Sequence, residues 1–467
     1  MAQADWSAPE AAAAVQAAAD AALAYLTTLP DRPVGATATH AELIARLPEA
    51  LPIEGLPATD VVAELLRATE GGIIATGSPR YHGFVIGGAL PATVAADFLT
   101  TAWDQNAGLY AGGPAASVLE QVAAAWVLEA LRLPSTASVA MVTGCQMAHV
   151  TCLAAARHKV LADRGWDVER DGLIGAPPIR VLTGELHHVT LPRAMRLLGL
   201  GQAVLETVPL DEHHRMRPDA LAEALASDGD DRPTIVCAQL GEVNSGAMDQ
   251  LDALADVTEP ARAWLHVDGA FGLWARASRT HAPLAAGAER ADSWATDAHK
   301  WLNVPYDCGL AICADPVSHR RAMGVTASYL VQSDDERRDA VDWTPEFSRR
   351  ARGTVVYAAL RTLGRDGLEA LVDRCCEAAA AYAKGLADVD GVEVLESGLD
   401  QVLLAFGDDE RTAAVIAAVQ DSGVAWMSGT RWRDRAAMRI SVVNWQTGPD
   451  DVDRTIAAIA SAVADLG

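Results

Sequence analysis

"ADSWATDAHKWLN", residues 291–303, carries a β-like run straight into a histidine and a lysine. Of the 37 basic residues in the chain, only Lys159, Lys300 and Lys384 are not arginine. A position that needed positive charge alone would here carry arginine, so Lys300 points to what arginine lacks, an amine able to release its proton. Its neighbours Trp301 and Leu302 are apolar, which argues against a solvated surface site. The run 292–296 is one of six similar strand candidates, the others being 138–143, 179–183, 234–240, 263–267 and 308–314. Helical patterns separate them. This alternation implies βα units and a mainly parallel sheet with helices on both faces, an α/β fold. Ligands of such sheets sit beyond the C-terminal ends of the strands. The segments that follow the strands are "GCQMAH", "GELHH", "GEVNSG", "DGA" and "DAHK", all polar or Gly-rich, and they read as one site.

Composition narrows the setting. At 467 residues, half of them apolar, the chain can bury two or three domain-sized cores. A net charge of −25 argues against nucleic acid or an anionic membrane as partner. No apolar run is expected to approach the roughly 18–20 residues that span a bilayer. The alanine-rich start lacks a basic segment, contains Glu10 and Asp20, and has Ser7 and Glu10 at capping-box spacing. A soluble amphipathic helix is expected there, not a signal peptide. Seven scattered cysteines without a CxxC suggest reduced thiols in a cytoplasmic protein. Residues 1–90 read as helices joined by Pro- and Gly-containing loops, and an α+β pattern replaces the βα alternation after about residue 365. The expected division is therefore 1–90, 91–365 and 366–467.

Several residues at the strand ends carry a specific chemistry. Lys300 can form a Schiff base with a carbonyl substrate or with pyridoxal phosphate. Asp268 in "WLHVDGAFG" can pair with a protonated pyridine nitrogen, with Ala270 flat against one ring face. His188 in "LHHVTLPRAMRLLGLG" can cover the other. Gly144, Cys145 and Gln146 open a helix whose free N–H groups suit a phosphate, helped by His299. The His187–His188 and His213–His214 pairs are not read as metal sites, because adjacent side chains rarely point the same way.

With these residues in place, "SWATDAHKWLNVPYDCG" resembles the cofactor-lysine motif of the group II pyridoxal-phosphate-dependent decarboxylases, which include the aromatic amino acid, glutamate and histidine decarboxylases. "WLHVDGAFG" is similar to that family's aspartate motif, and "HVTLPRAMRLLGLG" to the segment of its stacking histidine, which selects His188 over His187. "SPRYHGFVIGGALPATVAADFL" and "LEQVAAAWVLEALRLP" extend the likeness from about residue 30 to the C-terminus.

The resemblance implies a fold type I enzyme with an N-terminal helical segment, a large domain built on a seven-stranded sheet and a small C-terminal α+β domain. It also implies a homodimer with active sites at the interface. Pyridoxal 5'-phosphate would be held by Lys300, Asp268, His188, Ala270, Gly144, Cys145, Gln146, Asn244, Asp297 and His299. The expected reaction is decarboxylation of an L-amino acid, the side chain apolar or aromatic, with Tyr81, His82, Phe84, Trp103 and Arg439 toward the substrate. Arg80 is the nearest cation in sequence should the side chain be acidic. Arg349, Arg350 and Arg352 are read either as substrate contacts or as structural ion pairs.

Three departures stand out. Cys145-Gln146-Met147-Ala148-His149 replaces the usual Gly-Ser-Glu-Ala-Asn. "GEVNSG" replaces a Thr-rich run, leaving Asn244 and Ser245 for polar contacts near the ring. Ala340 stands where a loop tyrosine would return a proton to Cα, with Tyr329 eleven positions earlier. That loss raises transamination, aldol cleavage or oxidation to a carbonyl product as alternatives.

Overall fold

The computed structural model describes residues 8–227, 232–325 and 337–466. Seven strands form the main sheet: β1 Ser138–Val142, β2 Arg180–Gly184, β3 Leu205–Val208, β4 Thr234–Gln239, β5 Trp264–Asp268, β6 Ser293–Asp297 and β7 Gly309–Cys313. Their order is β1-β7-β6-β5-β4-β2-β3. β7 runs antiparallel to both of its neighbours, and the remaining pairs are parallel. The fold type I expectation holds.

Every residue of β1, β5, β6 and β7 is buried, as a sheet covered on both faces requires. Alternate residues feed two separate cores. Leu265, Val267, Trp294 and Leu310 face one layer of helices, while Trp264, Ala295 and Ala311 face the other. Register then sets the site. Asp268 lies opposite Ala295, and Asp297 opposite Gly309, so the polar ends of β5 and β6 sit side by side.

A second, fully antiparallel sheet is made by β8 Glu393–Gly398, β9 Gln401–Ala405, β10 Ser428–Trp432 and β11 Arg435–Ser441, in the order β10-β11-β9-β8. The helices Asp409–Asp421 and Pro449–Asp465 accompany it. The helix Gly353–Ala387 breaks at Gly364, whose φ of 60° and ψ of −168° a side chain would resist.

At the N-terminal end lie the helices Ala8–Thr28, His40–Ala45 and Ala58–Thr69. Ser7 falls outside the described residues. Glu10 accepts the backbone N–H of Ala58, tying the first helix to the start of the third. The expectation about apolar runs needs correction here. Ala8–Asp31, 24 residues that include an 18-residue stretch with a mean hydropathy of 1.2, is long and apolar enough to cross a bilayer by length and composition. The reason is its alanine content, which raises hydropathy without supplying large side chains.

Candidate active site

Three residues beyond β6, the Nζ of Lys300 lies 3.2 Å from Asp297 Oδ2 and 5.9 Å from the centre of the Phe271 ring. The other Asp297 oxygen accepts the Cys145 N–H at 2.6 Å and lies 3.5 Å from His299 Nε2. His299 Nδ1 accepts the Cys308 N–H at 3.2 Å, so a neutral His299 carries its proton on the nitrogen that faces Asp297. The loop before helix Pro91–Trp103 rests on the lysine: a Cβ on Gly87 would lie 2.0 Å from the Lys300 carbonyl oxygen. Burial pulls the Lys300 amine down, but Asp297, Cys145 and Asp268 outweigh it and hold the amine above its ordinary value. The readiness to lose a proton expected from sequence is therefore not a resting property of this amine. It is an ammonium while Asp297 faces it.

Asp268 closes β5. Its Oδ1 accepts the Ala270 N–H at 3.2 Å and lies 3.9 Å from Cys145 Sγ, and its Oδ2 is 3.4 Å from His149 Nε2. Burial alone would raise this carboxyl, yet His149, His188 and Lys300 together hold it well below the usual carboxylate range. His188 is fixed through Nδ1 to the Thr190 hydroxyl at 2.8 Å. Burial keeps its imidazole below the ordinary value, helped by Lys300, His149 and Arg439 against the pull of Asp268, so it is neutral near pH 7. Gln146 joins the two halves, its Nε2 donating to the Thr190 carbonyl at 3.2 Å. His187 instead contacts the Gly184 carbonyl through Nδ1 at 3.0 Å.

Lys300, Asp297, His299, Asp268, Ala270, His188 and Gly144 to Gln146 thus form one linked cluster. Other expected residues stand elsewhere or are already engaged. The Cys145 N–H is spent on Asp297, so it is not a free donor for phosphate in this arrangement. Asn244 is drawn away from a ring contact: its amide bonds Glu242 at 3.1 Å and Thr430 at 3.0 Å, because the Glu242 carboxylate also gathers the Asn244 and Ser245 N–H groups.

His82 is no substrate contact. Its buried ring bonds the Tyr382 hydroxyl at 2.9 Å, and burial pushes it down to about 3. Tyr81 and Phe84 pack on Trp426, at 5.0 Å and 5.5 Å between ring centres. Arg80 is committed to the Val424 carbonyl and Asp451. Trp103 is 52% exposed at the end of its helix, and among the described residues no hydrogen bond or ring contact joins it to the cluster.

Arg439, on β11, has its Nε without a hydrogen-bond partner, and among the described residues no acid comes within ion-pair distance of it. Arg349, Arg350 and Arg352 resolve as structural, pairing with Glu120 at 2.6 Å, Asp97 at 2.7 Å and Asp307 at 3.0 Å. Ala340 is buried in the turn Ala340–Asp342, and Tyr329 falls outside the described residues.

Residues not singled out from sequence complete the picture. Tyr306 stacks on His299 at 4.2 Å, and His266 stands behind His149. Tyr306 and His266 lay inside motifs read for other residues. The donor set fits pyridoxal phosphate: an amine for its carbonyl carbon, a buried carboxylate for its ring nitrogen, a neutral flat imidazole, and a helix start beside His299.

A sequence model of the pyridoxal-dependent decarboxylase conserved domain matches residues 41–406. The chain is 25% identical over 450 residues to an aromatic-L-amino-acid decarboxylase of Bacillus atrophaeus, covering 93% of this chain and 92% of that protein. It is also 25% identical over 427 residues to a 4-hydroxyphenylacetaldehyde synthase of Rhodiola rosea, covering 87% and 85%. A crystal structure of Oryza sativa TDC with PLP and tryptamine shares the fold, with a TM-score of 0.91 over 99% of both chains at 23% identity. With the match spanning most of the chain, this protein belongs to the pyridoxal-dependent decarboxylase family: it is a pyridoxal-phosphate-dependent enzyme that removes carbon dioxide from an amino acid.

Proposed function

We propose that the substrate is an L-amino acid with an apolar or aromatic side chain, and that Lys300, Asp268 and His188 are the residues that hold and use the cofactor. The observation that carries this reading is the side-by-side placement of Lys300–Asp297 and Asp268 at the ends of β6 and β5. The cofactor, when bound, supplies the electron sink for the bond that breaks. Lys300 anchors it through Nζ. Asp268 would keep a proton on the ring nitrogen, His188 and Ala270 would flank the ring and exclude water, and His299 with the start of helix Cys145–Ala162, the Cys145 N–H excepted, would face the phosphate. Arg439, buried with an unpartnered Nε, is assigned to the substrate carboxylate. Preorganised charges of this kind act without reorganisation at the moment of reaction.

An apolar or aromatic side chain is supported by Tyr306, which stacks on His299 beside the Lys300–Asp297 pair. Arg80, the cation an acidic substrate would want, is already paired. Transamination, aldol cleavage and oxidation, which Ala340 raised, are not favoured by the family match. The proton returned to Cα comes from a group other than Ala340.

We further assign the chain to a homodimer in the cytoplasm, with its active sites at the interface. Leu23, Leu65, Phe98, Trp103, Phe84 and Tyr306 are each more than half exposed, an apolar surface that a second copy would cover. All seven cysteines are buried and unpaired, in keeping with a reducing compartment. Turnover of a panel of L-amino acids, followed for amine and carbon dioxide, tests the substrate class. Activity confined to acidic or cationic side chains would refute it, and sedimentation as a monomer at assay concentration would refute the dimer.

A further inference from the structure

Behind Asp268 runs a chain of polar groups that the proposed chemistry does not by itself require. His149 Nδ1 lies 2.9 Å from His266 Nε2, and His266 Nδ1 lies 2.8 Å from the Ser293 hydroxyl. The indole N–H of Trp264 donates to that same hydroxyl at 2.8 Å. Both imidazoles are fully buried between the sheet and helix Cys145–Ala162. Burying two imidazoles costs desolvation that apolar side chains would avoid, so a satisfied network here implies a purpose or a packing demand.

The polarity of the chain can be worked out from its end. An ionised Asp268 only accepts, so the His149 nitrogen 3.4 Å from it and 3.6 Å from Cys145 Sγ meets the carboxylate favourably when it carries a proton. If His149 is neutral, its Nδ1 is then an acceptor, and His266 must donate through Nε2. Burial pushes His266 down to about 3, so it has one proton only, and its Nδ1 must accept from Ser293. Ser293 in turn takes the Trp264 N–H on a lone pair. Every donor finds one acceptor. If His149 is charged, the two inner bonds reverse and the N–H toward Asp268 remains. In both states the network presents a donor to the carboxylate.

We propose that His149 is a positioning residue for the cofactor's ring nitrogen: with its tautomer set by His266 and Ser293, it locks the Asp268 carboxylate and keeps the shared proton on the ring nitrogen. This rests on the assignment of Asp268 to that nitrogen. A donor at the back of the carboxylate lowers its own affinity for the proton. Without that donor, burial favours a neutral carboxylic acid and an unprotonated ring.

The test uses holoenzyme reconstituted with pyridoxal phosphate labelled with 15N in the ring, because the 15N chemical shift reports ring protonation independently of turnover. His149→Phe keeps the aromatic bulk and removes the donor. Its ring signal is expected to move toward the unprotonated value, with cofactor retention weakened about tenfold, the low end of what losing the partner behind a ligating group costs. Asp268→Ala defines the far end of that scale. A wild-type shift and wild-type retention in His149→Phe, with Asp268→Ala displaced, would reduce His149 to packing and overturn the inference. An unchanged signal in Asp268→Ala would instead remove the assignment of Asp268, and the inference with it. Should His149→Phe fail to fold, His266→Phe decides: a displaced signal supports the relay, an unchanged one refutes it.

Discussion

Lys300 is held by opposing influences, burial against three acidic or thiol neighbours, and the neighbours prevail. Its amine is a group that none of the chain's arginines can imitate. Lys300→Ala should abolish the visible absorbance of the lysine-bound cofactor and cut turnover by more than about a thousandfold. Lys300→Arg should do the same, since a guanidinium cannot give up its proton. An intact visible band in either variant contradicts the assignment. Arg349 shows the other fate of a basic residue near the site. It is buried against Glu120 at 2.6 Å and donates to the Met141 and Ala107 carbonyls. Arg349→Met leaves Glu120 buried without its partner and should cost about 3–5 kcal/mol, read as a lower denaturant midpoint. A substrate-binding arginine would instead show a raised KM with unchanged stability.

At the scale of elements, close approach matters as much as chemistry. The loop through Gly87 lies on the Lys300 carbonyl with no room for a side chain. Gly87→Ala should displace one or the other and lower kcat at least about tenfold, since misplacement of about 1 Å costs 10²-fold in a preorganised site. Wild-type kinetics would mean that the lysine's position is set elsewhere. The same scale explains what was legible beforehand. β1, β2 and β4 to β7 are apolar runs buried on most or all of their length, and each was placed to within about one residue at its ends. β3 and β10 went unread because they are short and half-exposed, so their residues "LETV" and "SGTRW" carry little periodic signal. Among the site residues, Lys300, Asp268 and His188 were legible because each ends or follows a strand in a motif. The engagement of His82 and Asn244 was not, because Tyr382 and Thr430 reach them from distant elements.

Over the whole molecule, buried titratable groups pull stability in opposite directions with pH. Burial pushes His82 and His266 down to about 3 and His319 to about 4. Below about pH 6.5 the unfolded chain binds those protons and the folded one does not, so their share of stability is lost as pH falls. Asp249 and Asp292, raised by burial to about 6, and Asp400, raised to about 7, act in the reverse sense. The folded state holds their protons where the unfolded state has released them, so their share is lost as pH rises toward the folded value. Asp400→Asn removes one such opposing group. It should raise the melting temperature more at pH 8 than at pH 5, a difference of at most about 3 kcal/mol at about 1.4 kcal/mol per pH unit. Equal gains at both pH values would mean that Asp400 is not held protonated by the fold. Lys300 and Asp268 together serve one reaction, the loss of carbon dioxide from an amino acid. Its most direct test incubates the holoenzyme with aromatic and apolar L-amino acids, in air and without oxygen, and identifies the products by mass spectrometry. Amine and carbon dioxide in equal amounts under both atmospheres is the predicted result. An aldehyde or keto acid in place of amine would contradict it.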